Sequence, residues 1–153
     1  SVTGVQTCAL PIFHFADCLA RSSQSIKVKL LDQKLVASIG NIYASEALFC
    51  ACVPPQSSCR KLNINHVAQL HRTILEVLSR AIRCGSTIPL NWRGAKNSDG
   101  LFYYGTAPGA GKFYEERLHV YDKAGQPCSR CRTHIRKIVQ AGRSTYYCPK
   151  CQR

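Results

Sequence analysis

Four cysteines near the end of the chain stand in two closely spaced pairs. Two residues lie within each pair and sixteen lie between the pairs, which are Cys128/Cys131 and Cys148/Cys151. This spacing favours one tetrahedral Zn²⁺ bound by four thiolates, which is a closed structural site rather than a catalytic one. Disulfide bonds within the pairs and a redox role are the alternative interpretations. His134 lies nearby, but four thiolates already complete the metal's shell, so we do not expect it to be a ligand.

The segment between the cysteine pairs has an unusual charge distribution. Its Ala-Gly dipeptide at 141–142 is flanked by β-forming residues, which predicts a β-hairpin. Residues 128–153 include no Asp or Glu, and their cations are Arg130, Arg132, Arg136, Lys137, Arg143, Lys150 and Arg153. A rigid hairpin lined with unopposed cations is suited to contact the phosphates of nucleic acid. A solvated cationic surface is the alternative.

The chain as a whole shares this basic character. Its 153 residues include 21 Lys and Arg against 8 Asp and Glu, a formal net charge of +13. Such a charge predicts a polyanionic partner, with nucleic acid favoured over an anionic membrane surface. No apolar run approaches the roughly 18 to 20 residues of a membrane-spanning helix. We therefore expect no membrane partner, and the scattered positions of the other cysteines indicate a reducing compartment such as the cytoplasm.

Helical patterns dominate residues 13–83, which precede the hairpin. Gly40 can adopt the positive φ that ends a helical turn, and Asn41 is a favoured N-cap. A helix is therefore predicted to begin at Ile42. The Pro-Pro dipeptide at 54–55 cannot continue that helix.

The clearest helical pattern comes next in the chain. Asn65 is its predicted N-cap and Gly85 its predicted end. Apolar residues recur between these two at spacings of three and four, namely Val67, Leu70, Ile74, Leu78 and Ala81. Such a stripe is typical of a helix face that packs against a core.

Residues 89–121 have a different composition, rich in glycine, aromatic residues and turn formers, which predicts a long loop. Its aromatic residues Phe102, Tyr103 and Tyr104 could stack on bases. Packing of the same rings onto the protein body is an equal alternative. Residues 118–121, LHVY, alternate like a strand that leads into the cysteine segment.

Two stretches of the chain together resemble a known family. Residues 32–49, DQKLVASIGNIYASEALF, and residues 143–153, RSTYYCPKCQR, closely resemble bacterial formamidopyrimidine-DNA glycosylase. The likeness extends over residues 14–153. It implies a mainly α fold, with a helix–two-turn–helix DNA-binding domain at 14–88, a loop and strand at 89–122, and a small β-hairpin zinc finger at 123–153. It also implies that the family's N-terminal β-sandwich domain is missing from this sequence.

The resemblance also implies an activity. The family removes oxidised purines such as 8-oxoguanine and formamidopyrimidines from DNA, acting on a flipped-out base, and then cuts the backbone by β,δ-elimination. Its nucleophile is an N-terminal proline amine, followed by a glutamate that acts as an acid, whereas this chain begins with Ser-Val. We therefore expect the chain to be a fragment without catalytic activity. The resemblance also implies a monomer in the bacterial cytoplasm, associated with the nucleoid. Its expected partner is double-stranded DNA containing oxidised bases or abasic sites.

Three residues match DNA-contacting positions of the family. Asn41 corresponds to a phosphate-binding asparagine, in agreement with the N–H groups and positive dipole end that a helix N-terminus offers to an anion. Lys27 corresponds to a lysine near the damaged nucleotide. Arg143 corresponds to the zinc-finger arginine that contacts phosphates flanking the lesion and donates a proton in δ-elimination. The loop at 99–113 corresponds to the family's lesion-covering loop.

The first residues of the chain call for a separate interpretation. Residues 2–12, VTGVQTCALPI, resemble the translation of one reading frame of a sequencing adapter. We therefore expect residues 1–13 to form an adapter-derived or disordered head.

Two other functions remain open. The chain could be a complete, non-catalytic zinc-finger module that binds nucleic acid, which predicts a native start near residue 1. It could also be a fragment of an endonuclease VIII-like glycosylase that acts on oxidised pyrimidines. The stretch GNIYASE at 40–46 looks more like the purine enzyme.

Overall fold

The computed structural model describes residues 11–37, 39–83 and 118–153. These residues form four α-helices, a 3₁₀ turn at Cys59–Lys61 and a two-stranded antiparallel sheet. The helices and strands in chain order are α1 (Ile12–Ala20), α2 (Ile26–Leu30), α3 (Asn41–Cys50), α4 (Ile64–Arg83), β1 (Arg136–Gln140) and β2 (Arg143–Tyr147). The prediction of a mainly α fold that ends in a β-hairpin is confirmed.

Several predicted segments lie outside the described residues. They are residues 89–117 of the predicted long loop, which include the lesion-loop equivalent at 99–113, and residues 1–10 of the expected head. Helix α1 begins at Ile12, within the range expected for that head. The chain divides into two compact units, one comprising residues 1–78 and 118–153 and the other residues 79–117. The first unit therefore contains nearly all of the described structure.

The four helices contribute to one hydrophobic core. Its buried members include Phe15 from α1, Ile26 and Leu30 from α2, and Leu48 from α3. The predicted apolar stripe of α4 also contributes to this core: Val67, Leu70 and Ile74 are buried and Leu78 is partly buried. The helix periodicity therefore predicted the buried face of α4 correctly as far as Leu78; the side chain of Ala81 lies outside the described residues. No described helix is both long and apolar enough to span a membrane.

The starts of two helices differ from the predictions. Gly40 has an extended backbone with φ −100°, so the expected positive φ is wrong, and α3 begins at Asn41 rather than Ile42. The N-cap is therefore Gly40 rather than Asn41, and the Asn41 side chain instead bonds to Lys27 and to the backbone oxygen of Ser144. Helix α4 begins at Ile64, and the Oδ1 of Asn63 accepts a hydrogen bond from the backbone N–H of His66 at 2.8 Å. The cap is therefore Asn63, because the predicted cap at 65 already lies inside the helix.

The hairpin has the predicted turn. Its strands pair in antiparallel register, with Gln140 opposite Arg143 at the end nearest the turn. Both turn residues lie in the left-handed region, Ala141 at φ 48° and Gly142 at φ 74°. Two consecutive positive φ angles produce a tight two-residue turn whose twist matches that of the strands. The turn therefore places Arg143 at the tip of the hairpin.

Residues 118–121 do not form the predicted strand. They form an irregular turn, and the described sheet consists of β1 and β2. The backbone N–H groups of residues 119–121 donate to the side chain of Glu46 on α3 rather than to a neighbouring strand. The alternating pattern was misleading because a buried carboxylate replaces the strand partner.

Candidate metal centre and nucleic-acid interface

The four cysteine sulfur atoms converge at the base of the hairpin. All four lie within 4.8 Å of one another, with 3.9 Å between the Sγ atoms of Cys128 and Cys151 and 3.4 Å between those of Cys131 and Cys148. Tetrahedral Zn²⁺ with bonds of about 2.3 Å requires sulfur atoms about 3.8 Å apart. The donor set and its spacing therefore fit one structural zinc, as predicted. His134 is exposed and is not part of this cluster.

Hydrogen bonds around the cysteines orient the sulfur atoms. The backbone N–H groups of Arg130 and Cys151 each point at the first sulfur of their own pair, at 3.4 Å. Hydrogen bonds with Thr133 lower the pKa of Cys131 to about 6, whereas burial raises the pKa of Cys148 and Cys151. Metal binding requires deprotonated thiols, so zinc affinity should fall with decreasing pH. When bound, the ion cross-links the two cysteine pairs.

A buried polar cluster joins α2, α3 and β2. The Nζ of Lys27 donates to Oδ1 of Asn41 at 2.6 Å and to the hydroxyl of Thr145 at 3.1 Å. The Nδ2 of Asn41 donates to the backbone oxygen of Ser144 at 2.8 Å. Lys27 has no exposed surface and Asn41 is buried. We call Lys27, Asn41, Ser144 and Thr145 the lysine cluster; it connects two predicted DNA-binding residues directly to the hairpin.

Arg143 lies next to the lysine cluster in sequence and is exposed at the tip of the hairpin. Burial, and secondarily the positive charge of Arg143, lower the pKa of Lys27 from 10.5 to about 8. Neither cation forms an ion pair with a carboxylate among the described residues. Two neighbouring cations without a counterion favour the binding of an anion between or beside them. The structure thus places Lys27, Asn41 and Arg143, the three residues for which the resemblance implies DNA binding, in one region.

Glu46 is a residue that sequence reasoning missed. Its carboxylate is buried and accepts backbone N–H bonds from His119 at 2.7 Å, Val120 at 2.9 Å and Tyr121 at 2.9 Å. It therefore connects α3 to the segment that leads into the zinc-binding residues. One sequence signal was available, because α3 is rich in small and apolar residues and has no polar face. A carboxylate in such a helix is expected to be buried with partners.

Arg130 has a different role from the one predicted for the hairpin cations. Its Nη1 donates to the backbone oxygen of Phe49 at 3.0 Å, and its guanidinium lies 4.3 Å from the centre of the Phe49 ring. That ring also stacks on His119 at 5.3 Å. Gln152 makes a similar tie, since its Nε2 donates to the backbone oxygen of Val53 at 2.9 Å. Arg130 therefore helps to attach the finger to the helices, because the C-terminal carbonyl groups of α3 attract a cation.

Two family models match the chain. The first is described as the formamidopyrimidine-DNA glycosylase H2TH domain, and it matches residues 8–90, more than half of the chain. The chain belongs to the formamidopyrimidine-DNA glycosylase family. The second model is described as a zinc finger found in FPG and IleRS, and it matches residues 125–153, which include all four clustered cysteines.

Named members of the formamidopyrimidine-DNA glycosylase family are similar along most of the chain. The formamidopyrimidine-DNA glycosylase of Trichodesmium erythraeum is 39% identical over 159 residues, covering 99% of this chain and 49% of the relative. That of Symbiobacterium thermophilum is 44% identical over 138 residues, covering 90% of this chain and 41% of the relative. The chain spans about half the length of the curated relatives it matches.

Solved structures of formamidopyrimidine-DNA glycosylases share the fold. Lactococcus lactis Fpg in complex with an abasic site containing DNA has a TM-score of 0.75 and 36% identity, covering 94% of this chain and 48% of that chain. MutM in complex with carbocyclic 8-oxo-G containing DNA has a TM-score of 0.75 and 34% identity, covering 94% of this chain and 47% of that chain. The helices and zinc finger described above are thus the C-terminal part of this family's architecture.

The buried charge of Lys27 predicts a pH-dependent stability. Its pKa is about 8 in the folded protein and returns to its ordinary value of 10.5 on unfolding. Between these values the unfolded state therefore binds more protons than the folded state. Burial of the charged Lys27 lowers the unfolding free energy most below pH 8, and this loss disappears as the pH rises toward 10.5. Relative to Lys27→Met, the wild-type protein should gain about 3 kcal/mol of unfolding free energy across this window.

Urea unfolding of both proteins at several pH values measures this difference. The comparison with Lys27→Met is needed because tyrosine and cysteine side chains titrate in the same range and contribute equally to both curves. If the two stability curves run parallel from pH 8 to 10.5, Lys27 does not carry a depressed pKa.

Proposed function

We propose that this chain is the DNA-gripping part of a bifunctional DNA glycosylase and AP lyase of base excision repair that acts on oxidised purines. The observation that carries the proposal is the position of Lys27, Asn41 and Arg143 in one basic region without a carboxylate partner among the described residues. DNA with an oxidised base or an abasic site is the proposed partner. Part of the support is that solved relatives are described as complexes with such DNA.

The three residues have distinct proposed roles. Arg143 is exposed, and its guanidinium can donate two parallel hydrogen bonds to one phosphate. Lys27 is buried and held by two acceptors, so it contributes a positive charge of defined position rather than a mobile contact. Asn41 orients Lys27 and lies at the start of α3, where the helix dipole favours a phosphate.

Arg143 has a second proposed role in the elimination steps. The family resemblance implies that Arg143 donates a proton to the departing phosphate in δ-elimination. A guanidinium at the exposed tip of the hairpin can stabilise the charge of that leaving group while it donates. The zinc has no proposed part in this chemistry, because four thiolates leave no open position on the metal.

The proposal predicts that Arg143→Ala weakens DNA binding about tenfold, since one charge-assisted hydrogen-bonded contact is lost. The same change should reduce the slope of log affinity against log salt by about one phosphate contact. Fluorescence anisotropy with a duplex containing a tetrahydrofuran abasic-site analogue, at four or more salt concentrations, measures both quantities. A parallel duplex containing 8-oxoguanine tests the proposed lesion class.

Arg21→Ala is the matched control. Arg21 is the exposed C-cap residue of α1 and pairs with Asp17, so its replacement removes the same charge outside the finger. We expect its affinity and salt slope to stay close to those of the wild-type protein. Equal losses for the two variants would mean that the binding reflects overall charge and not the proposed region. A wild-type protein without measurable affinity for duplex DNA would overturn the proposal itself.

A further inference from the structure

Gln140 attaches the tip of the hairpin to the helical body. Its Nε2 donates to the hydroxyl of Ser25 at 3.2 Å and to the backbone oxygen of Pro55 at 3.2 Å. A carbonyl oxygen can only accept, so the Pro55 contact determines which end of the amide faces the body. Gln140 also lies directly opposite Arg143 in the strand register. Gln140 is therefore attached to the body through its side chain and is paired with Arg143 through its position in the hairpin.

The anchor of Gln140 is the stretch that holds Lys27. Ser25 is the N-cap of α2, the helix that carries Lys27. The oxygen of Pro55 also accepts the backbone N–H of Lys27 at 3.2 Å. The two cations of the proposed DNA-binding region, Lys27 and Arg143, are thus connected through Gln140 as well as through the lysine cluster.

Packing for stability alone does not explain an amide at this position. The Oε1 of Gln140 is buried and has no hydrogen-bond partner among the described residues. A buried acceptor without a partner costs free energy that an apolar side chain of similar volume would avoid. The amide instead forms two hydrogen bonds through Nε2, which an apolar side chain could not form.

A defined position of Arg143 requires that the tip of the hairpin be attached to the helical body. Zinc cross-links the base of the hairpin, whereas Arg143 follows the turn at the opposite end. A two-stranded hairpin is only marginally stable by itself. The lysine cluster holds β2, and Gln140 holds the end of β1. Without Gln140, the turn would be attached through one strand alone.

We propose that Gln140 is a positioning residue that holds the hairpin tip so that Arg143 meets the phosphate in a defined geometry. This inference rests on the proposed DNA-binding function. It assigns Gln140 no contact with DNA, because its side chain is directed toward the body.

Gln140→Met tests the inference, because methionine has a similar shape and lacks the two donors. We expect DNA affinity to fall about fivefold, through loss of ordered geometry at Arg143. In an Arg143→Ala background, Gln140→Met should change affinity less than 1.5-fold, since the residue through which it acts is gone. Gln126→Met, at an exposed glutamine of the same finger, makes the same chemical change and should leave affinity unaltered.

Backbone ¹⁵N relaxation of residues 141–143 in the absence of DNA gives a readout that does not depend on binding. Gln140→Met should lower the order parameters of the turn, while the residues next to the cysteines keep theirs. Unchanged order parameters, or equal affinity losses with and without Arg143, would overturn the positioning role. If the turn loosens but the wild-type protein binds no DNA, the positioning contact stands and the proposed function fails.

Discussion

Removal of zinc is expected to unfold the finger and to reduce DNA affinity at least a hundredfold. The hairpin has two strands, and such a unit is not stable without further support. Zinc binding contributes on the order of 10 kcal/mol to folding in comparable four-ligand sites. Ser144 and Thr145 of the lysine cluster lie on β2, so unfolding of the finger also removes the partners of Lys27 and Asn41. The loss should therefore exceed that of Arg143→Ala.

A chelator titration followed by near-ultraviolet circular dichroism, with anisotropy on the same samples, measures this effect. The helical signal of α1 to α4 should largely persist, because their shared core does not include the finger. Cys148→Ser should reproduce the loss without a chelator. Cys18→Ser, at a cysteine of α1 outside the metal cluster, is the matched control and should leave zinc content and affinity unchanged. An intact near-ultraviolet spectrum after complete zinc removal would contradict the prediction.

Glu46→Gln is expected to lower the free energy of unfolding by about 3 kcal/mol. The carboxylate accepts three backbone N–H bonds, from residues 119, 120 and 121. A glutamine has one acceptor oxygen, and its NH₂ group would face a backbone donor that has no other acceptor at that position. The variant thus loses charge-assisted bonds and buries unsatisfied donors at the same time.

Urea unfolding at constant pH measures the effect of Glu46→Gln. The matched control is Glu76→Gln, which makes the same change at an exposed position on α4. We expect that variant to stay within about 0.5 kcal/mol of the wild-type protein. Similar values for the two variants would show that the three bonds to Glu46 contribute no net stability. A loss confined to Glu46→Gln supports the view that this residue holds the finger against α3.

Local chemistry made several features predictable. The metal site depends on residues two apart within each pair, and the turn at 141–142 depends on two adjacent residues. The buried face of α4 follows from a repeat within one helix. The helix starts were less predictable, because asparagine is a favoured cap and occurs at both 63 and 65. Only the position of the first helical turn decides which of the two acts as the cap.

The sequence by itself thus determined the zinc ligands, the hairpin, the helical class and the residues shared with the glycosylase family. Only the tertiary structure decided how the finger is attached to the helices. Glu46 contacts residues more than 70 positions away, and Lys27 contacts Thr145 at a separation of 118. Such bonds form because a buried donor or acceptor is stable only when it is hydrogen-bonded, and the packing of the chain decides which complementary group lies near it. Spacing along the chain carries no information about which partner that is.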